Sequence, residues 1–149
     1  LYLRFICFEP DMSSLVVKTT EHDKVDIWMD DSLELFLLPN EADLTTAYHI
    51  LINKAGVFFD GKVLGPNDRD ATWKSKLEAN VRKEANRWIL DVRVPFMSIG
   101  INDPNFTGRL VAEFYRNRFR PGKSMHSCWS PTGMGYHFCP EKFGFFILN

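Results

Sequence analysis

Short runs of branched, aromatic and leucine residues, each bounded by turn-forming residues, recur from one end of this chain to the other. Apolar positions spaced every three to four residues, the mark of a helix packed on one side, are almost absent. The runs read as strands at 1–8, 15–19, 32–38, 47–53, 56–60, 79–83, 88–95, 110–117 and 143–148. Turns fall at Pro10-Asp11, Pro39-Asn40, Lys54-Ala55-Gly56, Gly65-Pro66-Asn67-Asp68, Asn102-Asp103-Pro104-Asn105 and Pro121-Gly122. Residues 97–101 read as a short helical turn. Many short strands with turns between them point to an all-β fold, an antiparallel β-sandwich of immunoglobulin-like or jelly-roll type with long loops. At 149 residues one domain, 1–149, is expected. With 45% hydrophobic and 25% charged residues the chain carries enough apolar surface to build a core, which excludes disorder.

Side chains on a strand alternate between its two faces, so each run shows which face is buried. Leu33, Leu35 and Leu37 share one face; Glu34 and Phe36 take the other. Tyr48, Ile50 and Ile52 oppose His49, Leu51 and Asn53. Leu110, Ala112 and Phe114 oppose Val111, Glu113, Tyr115 and Asn117. Each strand thus has a clean core face and a mixed face of acids, amides, imidazole and aromatics. A mixed face of this kind suits a shallow ligand cleft, and equally a solvent face lying under loops. Trp88 alternates in phase with Leu90, Val92 and Val94, as a core residue does. Trp73 follows a polar loop and is expected to close it against the body.

Ahead of residues 32–38 lies Trp28-Met29-Asp30-Asp31. A buried, unpaired carboxylate costs several kcal/mol, roughly, so Glu34 either meets water or holds a partner. A Trp face that covers C–H groups, beside a carboxylate that accepts hydroxyl hydrogens, is the usual make-up of a sugar site. The structural alternative is a Trp capping the sandwich, with Glu34 paired to an arginine. Trp129 is expected to end a strand and pack into the core, while Tyr136, His137 and Phe138 look like ligand residues at a loop tip.

Other chemistries find little support. The formal net charge is −1 and the basic cluster Arg116, Arg118, Arg120 and Lys123 is small, so no nucleic-acid partner is expected. No apolar run reaches the roughly 18–20 residues of a membrane helix. Cys7, Cys128 and Cys139 lack zinc spacing and are expected as thiols, although a Cys128–Cys139 bridge stays open. No nucleophile elbow, metalloprotease helix or phosphate loop is present. Glu34 and Glu113 could face one cleft as glycosidase carboxylates do, a weaker alternative. Asp23, Asp26, Asp30 and Asp31 offer oxygens for calcium, but read more simply as polar turns in which Asp caps the backbone. The chain opens in what reads as the middle of a strand and is expected to be a piece of a longer, multidomain protein.

With Trp28-Met29-Asp30-Asp31-Ser32-Leu33-Glu34-Leu35-Phe36, Ser127-Cys128-Trp129-Ser130-Pro131-Thr132 and Pro140-Glu141-Lys142-Phe143-Gly144 in this order, nearly the whole chain resembles the family 9 carbohydrate-binding modules, which belong to the DOMON-like β-sandwiches. The family normally has one or two strands ahead of the position of Leu1. The resemblance implies a non-catalytic module attached to a glycoside hydrolase or another secreted protein, hence secreted or periplasmic, with carbohydrate and a covalently linked catalytic domain as partners. It implies a glycan end held between two aromatic rings, with a carboxylate, an arginine and an amide on its hydroxyls. Trp28 and Glu34 match the first ring and the carboxylate, Asn53 matches the amide, and Asn117 stands at a further polar contact. Leu51 stands where the arginine is expected, and the Tyr136-His137-Phe138 stretch replaces the second Trp. The ligand-binding set is therefore Trp28, Glu34, His49, Asn53, Asn117, Tyr136, His137 and Phe138. No catalytic residue is assigned, and structural calcium is the one cofactor that the resemblance allows. Two other readings stand beside it. One is an interaction or scaffold domain with a degenerate sugar site. The other is a haem-binding DOMON-like domain that uses Met125, His126, Met134 and His137.

Overall fold

The computed structural model describes residues 1–65, 68–120, 122–133 and 137–148. In chain order the strands are β1 (Tyr2–Phe8), β2 (Ser32–Leu38), β3 (Thr46–Asn53), β4 (Phe58–Leu64), β5 (Arg69–Asp70), β6 (Glu78–Glu84), β7 (Arg87–Arg93), β8 (Gly108–Arg120), β9 (Lys123–Cys128) and β10 (Gly144–Leu148), with short 3-10 turns between some of them. They form two antiparallel sheets: a small one in the order β1-β7-β6, and a larger one in the order β10-β8-β2-β3-β4-β5. Strand β9 continues the edge of the larger sheet along the far half of β8, beyond β10.

Alternation builds the core. Cys7, Trp88, Leu90 and Val92 of the small sheet meet Leu33, Leu35, Leu37, Tyr48, Ile50, Ile52, Leu110 and Ala112 of the larger one. Each Leu, Ile or Val among them, fully buried, stabilises by roughly 1.5–3 kcal/mol. Trp88 is fully buried in this layer, and Trp73 packs on its margin, its ring against Tyr48 and its indole N–H donating to the Ser98 carbonyl at 3.0 Å. The opposite face of the larger sheet carries Glu34, Phe36, Leu38, Ala47, His49 and Leu51, and loops rather than a third sheet cover part of it. Strand β2 lies between these layers, and every one of its residues is buried.

Four features depart from the strand pattern read in the sequence. Residues 15–19 join no ladder, because acid side chains take their donors. Asp31 accepts from the Val16 N–H at 2.6 Å, and Asp30 accepts from Lys18 and Thr19 at 2.7 and 3.1 Å. The run at 56–60 begins later, as β4 at Phe58, because Asn53 holds the N–H groups of Ala55 and Val57 in a tight turn. Gly56 there has φ of 82°, a conformation that side-chain-bearing residues avoid. Strands β5 and β9 went unread: the first is two residues long, and the second is mostly exposed and lacks an apolar face.

One end of the sandwich is closed electrostatically. Arg116, Arg118 and Arg120 continue the inward face of β8 past the core and converge on Glu9, whose side chain is fully buried just after β1. Arg118 grips it with two bonds of 2.7 and 2.8 Å, and Arg120 also reaches Asp31 at 3.2 Å. The three arginines of the basic cluster thus form an internal clasp, and Lys123 stays exposed.

Candidate functional site

A cleft of about 930 Å³ opens on the outer face of the larger sheet, a size suited to a small ligand. Its floor comes from two paired strands. Glu34 and Phe36 point up from β2, and His49 and Leu51 from β3, with Glu34 opposite Leu51 and Phe36 opposite His49. The 3-10 turn Val25–Met29, which leads into β2, sets Trp28 on one wall, where it remains 44% exposed. The segment ahead of β10 supplies His137, Phe138, Pro140 and Glu141, and the far edge supplies Arg69.

Glu34 organises the floor. It is buried, and its two oxygens meet His49 Nε2 at 2.7 Å and His137 Nδ1 at 2.5 Å. Burial alone would push this carboxyl up. The bonds from His137 and then His49 outweigh burial and hold it at about 2, so Glu34 is ionised. An ionised carboxylate only accepts, so each imidazole carries a proton on the nitrogen that faces it. Both rings are fixed by stacking: His49 lies on Phe36 at 4.4 Å and 8°, and His137 on Tyr115 at 4.1 Å and 7°. The Tyr115 hydroxyl donates to the His137 carbonyl at 2.7 Å, and burial pushes this phenol up to about 12. Phe138 packs on Phe36, which brings the loop wall down onto the floor. The sequence left open whether Glu34 meets water or a partner; its partners are two histidines.

The predicted ligand residues divide into two groups. Trp28, Glu34, His49, His137 and Phe138 line the cleft together. Asn53 and Asn117 do not: both are fully buried with their side-chain groups committed. Asn53 donates to the Thr19 carbonyl and to Asp30, each at 2.9 Å, and accepts from Ala55 and Val57. Asn117 donates to Ser32 Oγ at 3.2 Å and meets His126 Nδ1 at 2.8 Å. They fix the turn and strand ends around the cleft. Tyr136 lies outside the described residues. Leu44, Thr45, Arg69, Pro140 and Glu141 also line the cleft and were not read from the sequence, because they lie in loops or at strand ends without periodicity.

Glu113 is not a second carboxylate of this cleft. It is fully buried and accepts from the N–H groups of Trp129 at 2.9 Å and Ser130 at 3.0 Å, which anchors the long loop. Trp129 itself is 47% exposed: it follows β9 and lies against Phe114 and Phe146 at the margin, not within the core. Asp30 and Asp31 spend their oxygens on backbone donors, Asn53 and Arg120, Asp23 pairs with Lys74 at 2.6 Å, and Asp26 is exposed. Among the described residues no group of three or more His, Cys, Asp or Glu is arranged to hold a metal ion. Of the residues considered for haem, His126 and His137 pack 5.3 Å apart with Nδ1 of each engaged, and Met134 lies outside the described residues. Cys7 and Cys128 are thiols, and Cys139 Sγ donates to Glu141 Oε1 at 3.0 Å.

No protein-family model matches this chain, and no curated protein does. Solved structures do. A family 9 carbohydrate-binding module from Caldicellulosiruptor kristjanssonii, in complex with glucose, superposes with a TM-score of 0.68 at 15% identity, over 99% of this chain and 70% of that one. A cellotriose complex of a family 9 module from the same organism gives 0.65 at 14% identity, over 98% and 67%. A Bacteroides uniformis protein provisionally described as carbohydrate-binding gives 0.67 at 16%, over 97% and 69%. The sandwich fold is therefore shared with these proteins along nearly the whole chain.

Proposed function

We propose that this chain is a non-catalytic carbohydrate-binding module that docks the end of a glycan in the cleft on its larger sheet. The observation that carries the reading is the meeting of Trp28, Phe138 and the Glu34 carboxylate in one cleft on a sandwich shared with sugar-complexed modules. An aromatic face covers the C–H side of a pyranose, a contact of about 0.5–1.5 kcal/mol beyond the area it buries. Each Glu34 oxygen uses one lone pair on an imidazole and keeps another for a sugar hydroxyl. His49 and His137 hold the carboxylate ionised, and so stand in part for the arginine that Leu51 displaces. In this reading the module serves a larger secreted protein, bringing an attached catalytic domain to its glycan.

Tryptophan fluorescence titration with mono- and disaccharides, glucose and cellobiose first, tests this. Sugar shifts or quenches the emission of the wild type, and Trp28→Ala abolishes the response while Trp73, Trp88 and Trp129 still report a folded chain. A flat response across the panel, or one that survives Trp28→Ala unchanged, defeats the assignment.

A further inference from the structure

The chain has nine arginines, and eight of them lie within 4 Å of a carboxylate. Arg69 is the exception. Among the described residues its guanidinium has no hydrogen bond and no ion pair, and it is the one arginine that lines the cleft. Its placement follows from the register. Arg69 pairs with Val63, which pairs with Ala47, and both belong to the apolar cluster on the outer face of the larger sheet. Arg69 therefore stands on the cleft side of the edge strand β5.

The other charges of the lining lie elsewhere. Glu34 is flanked by His49 and His137, so the floor offers a carboxylate that already accepts one imidazole bond on each oxygen. Glu141 belongs to the loop that packs over β2 and β8 through Phe138 and His137, and its Oε1 accepts from Cys139. Between β2 and β5 lie three strand spacings, roughly 14 Å, and Ala47, in line with Arg69, lies four residues along β3 from Leu51, the partner of Glu34, which adds an offset of roughly 13 Å along the strands. A glycan of two or more rings that meets Glu34 at one end thus faces the Arg69 guanidinium at the other. Guanidinium is always charged and presents a planar fork that matches an oxyanion in two bonds.

We infer that this cleft takes an acidic sugar and that Arg69 reads its anion, an inference that rests on the cleft being a sugar site. The ligand class is a glycan end that carries a carboxylate, as in a uronate, or a sulfate ester. Glu34 and the aromatic walls would hold the ring and its hydroxyls, and Arg69 would set the preference for charge.

Calorimetric titrations of the wild type and Arg69→Gln with cellobiose, cellobiouronate and cellobiose 6′-sulfate test it. Among the described residues the Arg69 side chain makes no bond, so the variant keeps its melting temperature. The wild type binds an acidic sugar about fivefold to tenfold tighter than its neutral counterpart at low salt. In Arg69→Gln that ratio falls to near one. Whether uronate or sulfate shows the larger ratio identifies the anion. Equal affinities for acidic and neutral sugars in the wild type, or a preference that persists in Arg69→Gln, overturn the inference and leave the sugar site standing. Failure of every sugar to bind overturns both.

Discussion

Replacing Glu34 by Gln keeps the side chain's shape, removes its charge and isolates what the two histidines do. The carboxyl drops from an ordinary 4.5 to about 2 in the folded chain, against the upward push of burial and through the bonds from His137 and His49. At about 1.36 kcal/mol per unit, a fall of that size corresponds to about 3 kcal/mol. The folded value is the lower one, so the fold favours the ionised form. Its stabilisation is therefore complete above about pH 4.5 and is lost as the pH falls toward 2. Glu34→Gln carries no charge at any pH, and the acids common to both proteins cancel in the comparison. The variant should be about 3 kcal/mol less stable than the wild type at neutral pH, and the gap should narrow steadily below about pH 4.5. Urea unfolding followed by far-ultraviolet circular dichroism at about pH 7, 5, 4 and 3 measures it. Equal stability at neutral pH, or a gap that stays constant into acid, would refute the view that imidazole bonds overcome the burial of Glu34.

Glu9→Gln should cost about 3–5 kcal/mol in urea unfolding, because it leaves Arg116, Arg118 and Arg120 converged on a neutral amide. A loss below about 1 kcal/mol would mean that the clasp is no more than a surface pair. Asn53→Ala should cost about 2–4 kcal/mol, since the Thr19 carbonyl, Asp30 and the N–H groups of Ala55 and Val57 all lose a partner. A variant of unchanged stability would show that Asn53 is not the tie holding the turn.

The sandwich was legible because alternation on its inner face is clean. Leu33, Leu35 and Leu37, Tyr48, Ile50 and Ile52, and Trp88, Leu90 and Val92 all point where period two places them. Where a strand has no apolar face, as in Lys123–Cys128, only the neighbouring strand reveals it, and no local pattern could. The cleft divides along the same line. Glu34 and His49 stand on a polar phase within strongly patterned strands, so the sequence marked them. Asn53 and Asn117 share that phase, but Asn53 ends β3 and Asn117 lies opposite Ser32, the first residue of β2, and their amides are drawn into backbone and side-chain bonds. Phase assigns a face, but not what the side chain bonds there. The joining of Glu34 to His137, 103 residues apart, depends on a loop anchored by Glu113 and Tyr115, which no short-range signal encodes. Arg69 was hidden for a different reason: its significance is that it has no side-chain partner among the described residues, and that requires the positions of the acids around it.

The most direct test of the sugar cleft is a two-dimensional amide NMR titration with glucose, cellobiose and glucuronate on the labelled protein. The account predicts shifts that cluster at Trp28, Glu34, Phe36, His49, Leu51, His137 and Phe138, and that grow with sugar concentration to saturation. Shifts confined to the outer face of the small sheet, at Tyr2, Arg4, Ile6 and Phe8, or a spectrum that no sugar perturbs, would contradict it.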